Sequence, residues 1–148
     1  MKVITNIAIV AASLAFICQP AQAQAGAGAH DHAAAPLPAP KFDAKGIART
    51  ETVRSAFDGT REAIQVRVDF APGASFPKHS HPGVEIAYVL SGSIEYELNG
   101  KTVRLQAGES IYLPAGTVHS AKNIGTGITS ELATYVVEKN QPIVILDK

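Results

Sequence analysis

From Ala63 onward, apolar and polar positions alternate with a period of two. Ile64, Val66, Val68 and Phe70 alternate with Ala63, Gln65, Arg67 and Asp69, the signature of a strand with one face on a core. Further strand-like runs are Ile86 to Leu90, Ser93 to Leu98, Lys101 to Leu105, Ser110 to Leu113, Leu132 to Val137 and Ile143 to Leu146. Turn signals separate them: Pro72-Gly73, Pro82-Gly83, Ser91-Gly92, Asn99-Gly100, Ala107-Gly108, Pro114-Ala115-Gly116 and Gly125-Thr126-Gly127. Asn99-Gly100 is the strongest of these, because a type I′ hairpin turn requires positive φ at both central residues. Short strands at close, regular spacing predict an all-β sandwich or small barrel.

The N-terminus follows a different pattern. Met1-Lys2 is a positive start, and Ile4 to Ile17 is apolar apart from Thr5, Asn6 and Ser13. Ala21-Gln22-Ala23 then offers a small-residue cleavage site, with Ala23-Gln24-Ala25 one step on, so residues 1–23 read as a secretory signal peptide. The run of 14 residues falls short of the roughly 20 that span a bilayer, so no stable membrane anchor is expected. Cys18 ends the run, but Ile17 stands where a lipid-attachment signal wants a small residue. The expected location is therefore the bacterial periplasm or beyond. Residues 24–40 are mostly Ala, Gly and Pro and read as a flexible linker. The His30-Asp31-His32 stretch within it reads as a solvated tail rather than a metal clip. The folded domain is expected over 41–148.

Composition narrows the function. Thirteen Lys and Arg balance thirteen Asp and Glu, so no basic face is available for nucleic acid. Apolar residues make up 46% and charged residues 18%, enough to build a core. One cysteine excludes a disulfide framework or a cysteine zinc cluster.

The histidines carry the candidate chemistry. His79 and His81 are two apart, so on a strand their rings share a face. Glu85 has the same parity if the chain resumes as a strand after Pro82-Gly83, and the prolines and glycine exclude a helix here. His119 lies beyond the Pro114-Ala115-Gly116 turn, from which a returning strand could bring it opposite. Three imidazoles and a carboxylate suit a first-row transition metal. Tyr88, Tyr96, Tyr112 and Tyr135 read as core or interface residues, and Asn123 as a turn or edge hydrogen bonder. Gln65 and Arg67 are candidates for a barrel mouth.

Gly73, His79, His81, Glu85 and Gly92 fit G-x5-H-x-H-x3-E-x6-G, and Gly108, Pro114, Gly116, His119 and Asn123 fit G-x5-P-x-G-x2-H-x3-N. The two segments resemble the paired motifs of the cupin superfamily, in the manner of small single-domain bacterial, quercetin-dioxygenase-like members. The resemblance implies a double-stranded β-helix, or jelly roll, with a metal near its middle. His79, His81, Glu85 and His119 would be the ligands of one divalent ion per chain, Fe, Mn, Ni or Co in preference to Zn. Ala87 and Val89 would line an apolar pocket beside it. Small cupins commonly pair through sheet edges, and the 41–55 segment, with Ile47 and Val53, could lend an edge strand to a homodimer. The leading expectation is a metalloenzyme acting on a small organic substrate, dioxygenase-like in its chemistry. A non-catalytic module binding a small ligand or metal, and a closed structural zinc site, are the alternatives.

Overall fold

The computed structural model describes residues 38–147. The signal peptide, Cys18, His30 and His32 lie outside the described residues. Ten strands follow one another: β1 (Ile47–Ala56), β2 (Arg61–Phe70), β3 (Ser75–Ser80), β4 (Gly83–Ser91), β5 (Ser93–Leu98), β6 (Lys101–Gln106), β7 (Ser110–Leu113), β8 (His119–Asn123), β9 (Thr129–Glu138) and β10 (Ile145–Leu146). They form two five-stranded sheets, ordered β1-β2-β9-β4-β7 and β10-β3-β8-β5-β6. All pairings are antiparallel. The protein is all-β, a double-stranded β-helix whose chain passes repeatedly from one sheet to the other.

Alternation places the core. Ile64, Val66, Val68 and Phe70 of β2, Ala133, Tyr135 and Val137 of β9, and Ala87 and Val89 of β4 face Ile94 and Tyr96 of β5 and Ala121 of β8. Between β5 and β6, Asn99 and Gly100 adopt φ of 48° and 77°, as a primed hairpin turn requires. Tyr96 and Tyr135 are buried, whereas Tyr88 and Tyr112 are exposed.

Several expectations change. Three strands lie outside the alternating runs: β1, β3 and β8. The 41–55 segment contributes β1, which pairs with β2 of its own chain from Ile47↔Phe70 to Ala56↔Glu62 and is the edge strand of its sheet. A register shift between Glu51 and Val53 puts Ile47 opposite inward Phe70 but Val53 opposite outward Gln65, which breaks the alternation. β3 and β8 direct His79, His119 and Asn123 inward, so their buried faces are polar and give no hydropathy signal. Gln65 and Arg67 do not line a barrel mouth. Their parity is opposite to that of the buried β2 residues, and Arg67 instead pairs with Asp69 at 2.8 Å while Gln65 meets Thr134. The C-terminal run shortens to Ile145–Leu146, paired with His79 and Ser80.

Candidate metal centre

Four polar side chains from both sheets converge in the interior. His79 lies near the end of β3, in register with His119 at the start of β8, and His81 follows immediately after β3. Glu85 comes from β4 in the opposite sheet. Parity alone had put Glu85 beside the histidines, but the Pro82-Gly83 turn crosses between sheets and sets the carboxylate facing them. The crossing is tight: a Cβ on Gly83 would stand 2.0 Å from the Val136 carbonyl oxygen, so only glycine fits. Gly116, at a φ of 72°, donates its N–H to the His81 carbonyl at 2.9 Å, tying the turn before His119 to His81.

All four side chains are buried, and each imidazole is oriented from behind. Nδ1 of His79 faces the Pro77 carbonyl at 2.8 Å, Nδ1 of His81 the Ile143 carbonyl at 2.5 Å, and Nδ1 of His119 the Thr117 carbonyl at 2.9 Å. A carbonyl only accepts, so each proton sits on Nδ1 and each Nε2 presents a bare lone pair. One ligand atom from each of the three rings lies within 4.8 Å of those from the other two. Three buried histidines so arranged could hold a metal ion.

The decisive feature is a missing donor. Nε2 of His81 stands 2.9 Å from Oε2 of Glu85, and Nε2 of His119 stands 3.4 Å from the same oxygen. Nε2 of His81 and Oε2 of Glu85 are both buried without a hydrogen-bond partner among the described residues. Orphaned buried acceptors cost about 1–3 kcal/mol each, and a cation between them removes that cost. Burial holds His79 down at about 4, reinforced by His119, so its ring is neutral at pH 7. Burial opposes ionisation of Glu85, and only positive charge on its His119 and His81 side offsets it and lowers the carboxyl. An imidazole gains that charge by a second proton, and a cation supplies it to neutral rings. An ionised carboxylate among bare imidazole nitrogens suits a divalent cation.

A second wall escaped the reading of motifs. Glu131 on β9 is buried and accepts a hydrogen bond from the Tyr96 hydroxyl. Burial, followed by repulsion from Glu85, pushes its carboxyl up to about 8. Burial also pushes the Tyr96 and Tyr135 hydroxyls well above their ordinary range. One signal was available: Glu131 shares parity with Ala133, Tyr135 and Val137, an acid on the buried face of a strand. Between the two walls lies free volume of about 10 Å³, room for one ion or water-sized group. Val68, Phe70, Phe76 and Ala121 supply its apolar lining. Ala87 and Val89, expected to do so, are buried on Glu85's face but pack in the core instead.

Asn123 behaves as a hydrogen bonder, more deeply buried than a turn residue. Its Nδ2 donates to the carbonyls of Phe70, Ala71 and Gly127. Its Oδ1 accepts from the Gly125 N–H and the Thr129 hydroxyl.

Residues 66–137 match the family model described as the cupin domain. The chain belongs to the cupin superfamily. An oxalate-binding protein of Thermotoga maritima is 35% identical over 72 residues, 48% of this chain and 60% of that protein. An oxalate oxidase of Triticum aestivum is 32% identical over 101 residues, 61% of this chain and 45% of that protein. Among solved structures, KdgF from Halomonas sp. superposes with a TM-score of 0.54 at 26% identity, covering 66% of this chain and 86% of that one. Across eight curated relatives, the chain spans 29% to 60% of their length.

Proposed function

We propose that this cupin is an exported metalloprotein that binds one divalent transition metal through His79, His81, Glu85 and His119 and acts on a small organic substrate as a dioxygenase-like oxidoreductase. The observation that carries the metal assignment is the pair of buried atoms His81 Nε2 and Glu85 Oε2, 2.9 Å apart and without a hydrogen-bond partner among the described residues. A bound Fe, Mn, Ni or Co ion supplies a Lewis acid or an oxygen-activating centre. The chain's own residues prepare the site. The carbonyls of Pro77, Ile143 and Thr117 keep the three rings aimed, as groups behind metal-ligating histidines do. Val68, Phe70, Phe76 and Ala121 limit water, and Glu131 keeps its own proton through burial while accepting a hydrogen bond from the Tyr96 hydroxyl. Similarity to an oxalate oxidase supports a redox role.

Similarity to an oxalate-binding protein favours a second reading, a periplasmic module that retains a small ligand without turnover. Elemental analysis of untagged protein, followed by oxygen uptake against phenols, diketones and thiols, separates the two. Uptake with iron or nickel bound supports the enzyme, and tight retention without turnover supports the module. One equivalent of metal persisting in two single-ligand variants would overturn the site itself. Export and homodimerisation belong to the same proposal. Intact mass starting at Gln24 or Gly26 tests the first, and light scattering at micromolar concentration tests the second.

A further inference from the structure

Arg49 is the arginine that the fold leaves without a carboxylate. Arg54 reaches Glu62 at 2.7 Å, Arg61 reaches Asp58 at 2.6 Å, Arg67 reaches Asp69 at 2.8 Å and Arg104 reaches Glu95 at 2.8 Å. Among the described residues Arg49 has no such partner. Arg49 is exposed, yet it reaches the rim of the interior. Arg49 stands opposite Val68 in the β1–β2 ladder, on the face that turns inward. Its guanidinium lies 5.7 Å from the Phe76 ring centroid, and with Phe76, His79, Glu85 and His119 it borders the central cavity.

The acid nearest in effect does not neutralise it. Glu131 feels the charge of Arg49, yet burial keeps its proton on. With a divalent ion in place and Glu85 ionised, the cavity wall carries one net positive charge from the centre and another from Arg49. That balance complements a dianion. The free volume among the ligands, about 10 Å³, admits only the ion or a group the size of water. The body of a larger ligand must therefore lie outside that volume, at the rim that Arg49 and Phe76 border together, with one end pointing inward. A guanidinium offers a planar fork of donors matched to a carboxylate, and an aromatic face beneath it fixes its plane.

We propose that Arg49 is a specificity-determining residue that grips the outer carboxylate of a small dicarboxylate, whose inner carboxylate reaches the centre formed by His79, His81, Glu85 and His119. This rests on the metal reading above and adds the class of ligand. Arg49 positions the ligand and takes no part in holding the metal.

The test uses the full chain loaded with manganese, titrated calorimetrically with acetate, malonate, succinate and glutarate. Metal content is measured before and after. In the unaltered protein one dicarboxylate binds at least about tenfold more tightly than acetate, and its length reports the span from the centre to Arg49. Arg49→Gln abolishes that advantage, a loss of about 10- to 100-fold, the weight of a hydrogen-bonded charge pair. Acetate affinity and metal stoichiometry stay unchanged, and Arg49→Lys, which keeps the charge without the fork, retains part of the preference. Arg49→Gln binding every dicarboxylate as the unaltered protein does overturns the proposal, as does an unaltered protein that prefers none of them over acetate. A protein that takes up no manganese, iron, nickel or cobalt overturns the metal reading as well.

Discussion

Two buried polar clusters lie on the same strand, β8, four residues apart, and they are built on opposite principles. Around Asn123 the hydrogen bonds close: its amide donates to three carbonyls and its oxygen accepts from a backbone N–H and a hydroxyl. Around His119 they do not close. The histidine Nδ1 atoms are satisfied from behind, but His81 Nε2 and Glu85 Oε2 face each other without a donor. A closed polar cluster stabilises a fold by satisfying its own groups, whereas an open one keeps acceptors in reserve for something from outside. The first cluster closes on itself and the second could hold an ion, although both are buried.

Breaking each cluster separates these roles. Asn123→Leu removes the side-chain partner of the Phe70 and Gly127 carbonyls and of the Gly125 N–H, while the Ala71 carbonyl keeps the Ala74 N–H and the Thr129 hydroxyl keeps Ser93. At about 1–3 kcal/mol for each buried orphan, the expected loss is about 4 kcal/mol or more, read as a large drop in the urea midpoint. A variant as stable as the parent would contradict the structural role.

His81→Ala, removing one of two orphaned acceptors, should do the reverse. Metal affinity should fall more than about 100-fold, since even groups behind the ligands are worth about 10- to 100-fold. Circular dichroism of the metal-free protein should stay that of a β fold. His79→Ala, Glu85→Ala and His119→Ala are expected to follow it, whereas His30→Ala and His32→Ala should leave one ion per chain.

Metal addition sharpens the contrast further. An ion at 100 times its dissociation constant stabilises the folded chain by about 2.7 kcal/mol, which should appear as a raised melting temperature. That rise should persist in Arg49→Gln and vanish in His81→Ala. An equal rise in both variants would mean that the ion binds elsewhere.

Glu131 belongs to neither cluster, and pH exposes it. Its carboxyl is held at about 8 when folded, against 4.5 ordinarily. Between those values the folded chain binds more protons than the unfolded one, so this group makes stability fall as pH rises from about 4.5 to 8. The effect is on the order of 1 kcal/mol per unit of displacement. Glu131→Gln, which mimics the protonated acid, should flatten that slope in urea titrations. A slope that survives the substitution assigns it to another group.

Much of this was legible before any tertiary contact was known, because a period of two is local. The run from Ala63 to Phe70 determined a strand and its buried face, and Asn99-Gly100 determined a hairpin, since few residues tolerate positive φ. The motif spacings drew attention to His79, His81, Glu85 and His119, and the structure brings those four together. Polar inward faces hid β3 and β8, and the register shift after Glu51 hid β1.

What the sequence by itself determined is therefore the all-β class, most strand faces and the candidate ligand residues, all properties of neighbours along the chain. Tertiary structure alone decided that Glu85 faces the histidines from the other sheet, that Glu131 is buried against Tyr96, and that Arg49 borders the cavity with no carboxylate partner among the described residues. These depend on which strands pair and how two sheets stack, and such contacts join residues far apart in sequence. No local periodicity records them, because the free energy that selects them belongs to the packed whole.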